Sequence, residues 1–131
     1  MKRTILVIED NEQNLYLATF LLEQSGFTVV AARSEPEGIT AAARFQPDLI
    51  LLDIQLPQMD GYAVARELRQ NPALRDVPVV AVTSYAMVGD RERTLEAGCN
   101  GYIEKPINPD TFRTEIDNYL KVRPVGGEAQ S

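Results

Sequence analysis

The chain has 131 residues, of which 44% are hydrophobic, so it can form one domain with its own core. Its formal charge of −6 argues against nonspecific binding to nucleic acids or anionic membranes, which needs basic patches. Histidine is absent, which excludes Ser-His and Cys-His catalysis and makes a zinc site improbable. Cys99 is the single cysteine and cannot form an internal disulfide, so we expect a cytoplasmic protein.

The first half of the chain is predicted to contain two helices between three buried strands. Short aliphatic runs predict the strands at Thr4–Ile8, Thr28–Ala32 and Asp48–Asp53. An apolar stripe of Leu15, Ala18 and Leu22 predicts a first helix that ends at Ser25, before Gly26. Ser34 and Glu37 have the spacing of a capping box, which predicts a second helix running to about Phe45.

The second half continues the alternation, with strands predicted at Val79–Thr83 and Gly101–Glu104. Helices are predicted at Tyr62–Asn71, at Val88–Ala97 and from Pro109 to about Lys121. We expect the domain to span residues 1–121 and the aperiodic residues 122–131 to form a disordered tail. Strict alternation predicts an α/β fold, a doubly wound five-stranded parallel sheet with helices on both faces.

Ligands of such folds bind beyond the carboxyl ends of the strands, and polar residues follow four of the five strands here. Glu9 and Asp10 follow the first strand, Asp53 ends the third, Thr83 ends the fourth and Lys105 follows the fifth. If strands one and three are neighbours, three carboxylates converge, and a hard divalent cation such as Mg²⁺ would offset their repulsion. A carboxylate in this setting can attack a phosphorus centre and form an acyl phosphate.

With these residues the chain resembles a response-regulator receiver domain over Lys2–Leu120. The resemblance rests on Glu9-Asp10, Asp53, the loop "LPQMDG", Thr83 and the pair Lys105-Pro106. The segments "DIQLP", "VVAVTSYAM" and "YIEKPI" are most similar to those of stand-alone DivK-type single-domain response regulators, or of receivers attached to hybrid kinases. The resemblance implies the strand order 2-1-3-4-5 of the flavodoxin-like receiver fold.

The resemblance also implies the roles of the site residues. Asp53 would accept a phosphoryl group from a sensor histidine kinase or a histidine phosphotransfer protein. Mg²⁺, with Mn²⁺ or Ca²⁺ able to substitute in crystals, would be held by Glu9, Asp10, Asp53 and the backbone carbonyl of Gln55. Thr83 and Lys105 would contact the phosphoryl group, and Tyr102 would rotate inward behind Thr83. The Lys105-Pro106 peptide bond would be cis.

Partner contacts are implied on the first helix and on the loop after the fifth strand, at Asn14, Leu17, Phe20, Pro106 and Ile107. The chain would be a signalling switch rather than an enzyme, with intrinsic Mg²⁺-dependent autophosphorylation from small donors and autodephosphorylation. It would act by binding a downstream protein target, without nucleic acid or membrane insertion, as a monomer or weak dimer.

Three other readings of the same residues remain open. An aspartate-nucleophile hydrolase of the haloacid-dehalogenase type would need a second acid where Gln55 stands. A flavodoxin-like FMN carrier would need a hydroxyl-rich loop where the acidic run Glu9–Glu12 would repel phosphate. A receiver-like scaffold that binds partners without phosphorylation is disfavoured by the presence of Asp53, Thr83 and Lys105.

Overall fold

The computed structural model describes residues 3–54, 61–84 and 88–121, apart from the side chains of 88–91. Within these ranges the five strands are β1 (Thr4–Ile8), β2 (Thr28–Ala32), β3 (Leu49–Asp53), β4 (Val79–Thr83) and β5 (Gly101–Glu104). The five α-helices of the described residues are α1 (Glu12–Gln24), α2 (Glu35–Phe45), α3 (Gly61–Arg69), α4 (Val88–Glu96) and α5 (Pro109–Lys121). The predicted tail at residues 122–131 lies outside the described part of the chain.

All five strands are parallel and form one sheet in the order β2-β1-β3-β4-β5. The predicted fold class and strand order are therefore confirmed. The strand order reverses between β1 and β3, because β2 lies on one side of β1 whereas β3, β4 and β5 follow on its other side. The carboxyl ends of β1 and β3 are neighbours, since Ile8 pairs with Leu52.

Side chains alternate between the two faces of the sheet and form two core layers. One layer packs with α1 and α5 and includes Val7, Leu51 and Ile103 from the strands. The other packs with α2 and α3 and includes Ile8, Leu52 and Ala81. Both faces of the central strands are covered, which explains why these strands read as continuous aliphatic runs rather than as alternating ones.

The predicted helix boundaries lie within one residue of the observed ones, except at the end of α3. Ser34 caps α2 by accepting a hydrogen bond from the Glu37 N–H at 3.3 Å. The predicted third helix reached Asn71, but α3 ends at Arg69 because Asn71 instead caps a 3₁₀ turn at Pro72–Leu74. No helix in the described ranges is long and apolar enough to cross a membrane.

Candidate functional site

The hydrogen-bond ladder of the sheet continues past the strand ends and positions the polar residues there. The Glu9 N–H donates to the Ala32 carbonyl at 2.9 Å, which extends the pairing of β1 with β2. The Lys105 N–H donates to the Thr83 carbonyl at 2.8 Å, which extends the pairing of β5 with β4. The backbones of Glu9 and Lys105 are therefore held by the same kind of hydrogen bond that pairs the strands.

Alternation along the strands explains why three of these side chains meet. Glu9, Asp53 and Lys105 each stand two residues beyond an inward-facing residue of the layer that packs with α1 and α5. The Lys105 ammonium nitrogen lies 3.1 Å from Asp53 Oδ1 and 3.8 Å from Glu9 Oε1. Asp53 is 3% exposed and Glu9 is 5% exposed, so this cluster of charges is largely removed from water.

Asp10 completes a group of three carboxylates. One carboxylate oxygen each from Glu9, Asp10 and Asp53 lies within 4.8 Å of the others. Burial of Glu9, followed by its hydrogen bond and charge interaction with Asp53, raises its pKa to about 7 from an ordinary 4.5. Lys105 and a hydrogen bond from the Asn11 N–H at 3.2 Å oppose this shift. Glu9 thus holds a proton far more readily than a solvated carboxylate does.

The donor set fits a hard divalent cation. Three carboxylates and one ammonium leave two formal negative charges when all four groups are ionised. Oxygen ligands with room for water are what Mg²⁺ prefers in proteins. The fourth expected ligand, the backbone carbonyl of Gln55, lies outside the described residues.

Thr83 and Tyr102 lie where the sequence places them, at the carboxyl end of β4 and within β5. Thr83 is buried, and its register partner Glu104 directly precedes Lys105. Tyr102 is half-buried and packs against the core layer beside α2 and α3. The peptide bond between Lys105 and Pro106 is cis, as the family resemblance implies. The switching roles of Thr83 and Tyr102 stay predictions.

The expected partner contacts differ in their exposure. Phe20 and Pro106 are exposed, whereas Asn14 and Leu17 are half-buried on α1. Ile107 is also half-buried and packs against the layer beside α1 and α5. Tyr16, which is not among the expected contacts, is 72% exposed, and its ring stacks on that of Phe20 with centroids 6.3 Å apart. Their four-residue spacing on a helix, visible in the sequence, is also compatible with a pair that merely covers the surface or the edge of the core.

The backbone of Gly61 closely approaches that of Ile54, which follows Asp53 of the acidic cluster, and the sequence did not predict this contact. A Cβ added to Gly61 would stand 2.5 Å from the Ile54 Cα and 2.7 Å from the Ile54 carbonyl oxygen. Ile54 is the neighbour of Asp53, and its N–H donates to the Val82 carbonyl at 3.1 Å. Gly61, the last residue of the "LPQMDG" motif, therefore brings the start of α3 against the end of β3.

The sequence and the fold both match proteins of one family. Residues 5–117 match the model of the response regulator receiver domain. The chain is 43% identical over 120 residues to the polar-differentiation response regulator DivK of Brucella ovis, covering 92% of this chain and 98% of that protein. It is 42% identical over 120 residues to the protein of the same name from Brucella anthropi, with the same coverage.

Solved structures agree with this assignment. A receiver domain protein from Methanospirillum hungatei shares 28% identity with a TM-score of 0.87, covering 97% of this chain and 100% of that one. The receiver domain of a sensor histidine kinase from Pseudomonas aeruginosa shares 33% identity with a TM-score of 0.84, covering 92% and 99%. That structure holds a magnesium ion in its active-site cleft. The chain described here belongs to the response regulator receiver domain family, with DivK proteins among its relatives.

Proposed function

We propose that this chain is a phosphoacceptor response regulator whose Asp53 receives a phosphoryl group from a histidine kinase or a histidine phosphotransfer protein. The observation that supports it best is the pairing of buried Asp53 with Lys105 at 3.1 Å, beside the carboxylates of Glu9 and Asp10. A buried acid held next to a cation at the strand ends of this fold is placed to act as a nucleophile in a charge-neutralising site.

The transfer needs little covalent chemistry from the protein. A carboxylate oxygen of Asp53 attacks the phosphorus, the bond from phosphorus to the donor imidazole nitrogen breaks, and that nitrogen keeps the electron pair. The Lys105 ammonium neutralises one phosphoryl oxygen, and the Thr83 hydroxyl donates a hydrogen bond to another. Such positioning and neutralisation account for most of the catalysis in phosphoryl transfer. Slow attack of water on the acyl phosphate later returns Asp53 to its carboxylate.

Glu9, Asp10 and Asp53 would hold Mg²⁺, with the backbone carbonyl of Gln55 as a further ligand. When bound, the ion neutralises charge on the phosphoryl oxygens. The magnesium in the related Pseudomonas aeruginosa receiver supports this assignment, as does the compact set of carboxylate oxygens here.

The signal leaves through protein–protein binding in the cytoplasm. The phosphoryl group draws the Thr83 hydroxyl toward it, Tyr102 follows inward, and the surface beside β5 changes its preferred arrangement. The phosphodonor contacts α1 and the loop after β5, at Asn14, Leu17, Phe20, Pro106 and Ile107. Tyr16 belongs with this set, because its exposed ring continues the surface of Phe20.

Intact mass after incubation with acetyl phosphate or phosphoramidate, with and without Mg²⁺, tests the proposal. We expect a gain of one phosphoryl group that chelator abolishes and that Asp53→Asn abolishes. Asp110→Asn, which removes an exposed carboxylate at the start of α5, should leave the gain intact. No gain from either donor at saturating Mg²⁺ would instead favour a receiver-like scaffold that binds partners without phosphate.

A further inference from the structure

A tyrosine on α5 bonds to the outer edge of β5. The Tyr119 hydroxyl accepts a hydrogen bond from the Tyr102 N–H at 3.2 Å and lies 3.3 Å from the Tyr102 carbonyl oxygen, to which it donates. One hydroxyl therefore engages both backbone groups of a single strand residue. The burial of Tyr119 raises its pKa, so the hydroxyl keeps the proton that it donates.

Gly101 makes this contact possible. A Cβ at position 101 would collide with the Tyr119 hydroxyl, and it would stand 2.6 Å from the ring carbon that carries it. The phenol ring thus lies directly on the glycine that begins β5. Any larger residue at position 101 would push the ring outward and separate the hydroxyl from Tyr102.

The contact matters because β5 is short and lies at the edge of the sheet. It has four residues and, among the described residues, pairs with β4 alone, from Gly101 opposite Val80 to Glu104 opposite Thr83. Edge strands present unpaired backbone groups on their outer side. Tyr119 binds those groups at Tyr102, three residues before Lys105, whose own N–H continues the ladder to Thr83.

We propose that Tyr119 is a positioning residue for Lys105: by holding β5 against β4 from the outer side, it keeps the Lys105 ammonium at Asp53. β4 binds the strand on one side and Tyr119 binds it on the other, so the strand end that carries Lys105 is restrained from both. The consequence for phosphoryl transfer rests on the function proposed above, whereas the restraint of Lys105 does not depend on it.

Amide hydrogen exchange by NMR on the full chain separates these two levels. Tyr119→Phe keeps the ring and removes the hydroxyl. We expect the amides of Tyr102 and Lys105 to exchange about two- to tenfold faster, the effect of losing about one net hydrogen bond. Amides of the interior strand β1, such as that of Val7, should keep their rates, which excludes global destabilisation. Tyr16→Phe removes an exposed hydroxyl on α1 and should change none of these rates.

Gly101→Ala tests the same contact by a second route, since it displaces the ring of Tyr119 without removing the hydroxyl. It should accelerate the same two amides. If Tyr119→Phe accelerates exchange at Tyr102 but leaves Lys105 unchanged, the proposed restraint of Lys105 is wrong. Unchanged exchange at Tyr102 would show that the Tyr119 hydroxyl does not bind this amide, and the proposal would then be wrong.

A double-mutant cycle then joins the restraint to the chemistry. Tyr119→Phe should slow phosphorylation of Asp53 by acetyl phosphate about two- to tenfold, and it should have no further effect once Lys105→Ala is present. Equal slowing in both backgrounds would overturn a role through Lys105. If the wild-type chain takes no phosphoryl group, the proposed function fails, and the exchange rates alone decide the restraint.

Discussion

The ammonium of Lys105 lies 3.1 Å from Asp53 Oδ1, which makes it the cation that the described structure places against the buried acid. Asp53 ends β3 and Lys105 directly follows β5, and these two strands are separated in the sheet by β4. The long lysine side chain crosses that width, and it also approaches Glu9 at 3.8 Å. This relationship leads to the first of four predictions.

Removing the charge of Lys105 should affect phosphoryl transfer and metal binding in opposite directions. Lys105→Ala deletes the cation that neutralises a phosphoryl oxygen, so we expect phosphorylation of Asp53 to slow by about 10²-fold. The same variant leaves the carboxylates with no competing ammonium, so Mg²⁺ should bind at least as tightly. Intact mass gives the rate and calorimetry gives the affinity. The exposed Lys121→Ala is the matched control, and a rate within twofold of wild type for Lys105→Ala would contradict its role.

The raised pKa of Glu9 should make the stability of the metal-free protein depend on pH. A carboxyl group whose pKa is higher in the folded state stabilises the fold below about pH 4.5, and this contribution is lost as pH rises through about 7. We therefore expect the free energy of unfolding to fall between pH 5 and pH 8. Because Lys105 and residual solvent screen the charge, we expect a loss of about 1–2 kcal/mol rather than the full value.

Urea unfolding in chelator at several pH values measures this change. Glu9→Gln should flatten the profile and should stabilise the metal-free protein at pH 8. Saturating Mg²⁺ should abolish this loss, because the ion binds the deprotonated carboxylate and its affinity should increase from pH 6 to pH 8. A metal-free profile that is identical for wild type and Glu9→Gln would show that Glu9 is not the group responsible.

The close approach of Gly61 to Ile54 should make position 61 intolerant of any side chain. Gly61→Ala places a methyl group against backbone atoms, which cannot rotate away, so we expect a cost of about 1–3 kcal/mol in unfolding free energy. The displaced Ile54 adjoins Asp53, so Mg²⁺ affinity should also fall. Gly26→Ala is the matched control. A Cβ at position 26 would meet nothing within 4 Å. The positive φ of 94° makes alanine there destabilise the fold, but Mg²⁺ affinity should not change.

The guanidinium of Arg69 should be worth far more to stability than a surface arginine. It donates to the carbonyls of Gly98 and Leu74, both at 2.8 Å, and to Asn100 Oδ1, and so joins the end of α3 to the turn before β5. Arg69→Leu leaves those acceptors without this donor, so we expect a loss of about 2 kcal/mol. Arg69→Lys should restore little, because one ammonium cannot reach all three acceptors.

Thermal or urea unfolding tests the Arg69 variants against Arg113→Ala. Arg113 makes an exposed ion pair with Asp117 four residues later at 3.5 Å, which is worth under about 0.5 kcal/mol. Equal stability losses for Arg69→Leu and Arg113→Ala would show that the contacts of Arg69 contribute no more than a surface pair.

Much of this architecture could be predicted because short stretches of sequence specify the strands and the helix ends. Aliphatic runs such as that of β3 mark strands covered on both faces, and the Ser34 cap and Gly26 mark helix ends. Alternation of strands and helices then requires a parallel sheet, whose carboxyl ends share one edge. For that reason the sequence could also predict that Glu9, Asp10, Asp53, Thr83 and Lys105 lie at one edge.

What the sequence by itself determined is therefore the set of elements, the fold class and the edge that carries the site. Only the tertiary structure decided that Lys105 approaches Asp53 more closely than Glu9, that burial raises the pKa of Glu9 to about 7, and that the Tyr119 hydroxyl binds Tyr102 over Gly101. The physical reason is distance along the chain. Differences of a few tenths of an ångström between such distances, and the burial of single groups, depend on side chains from separate elements. No local sequence pattern carries that information.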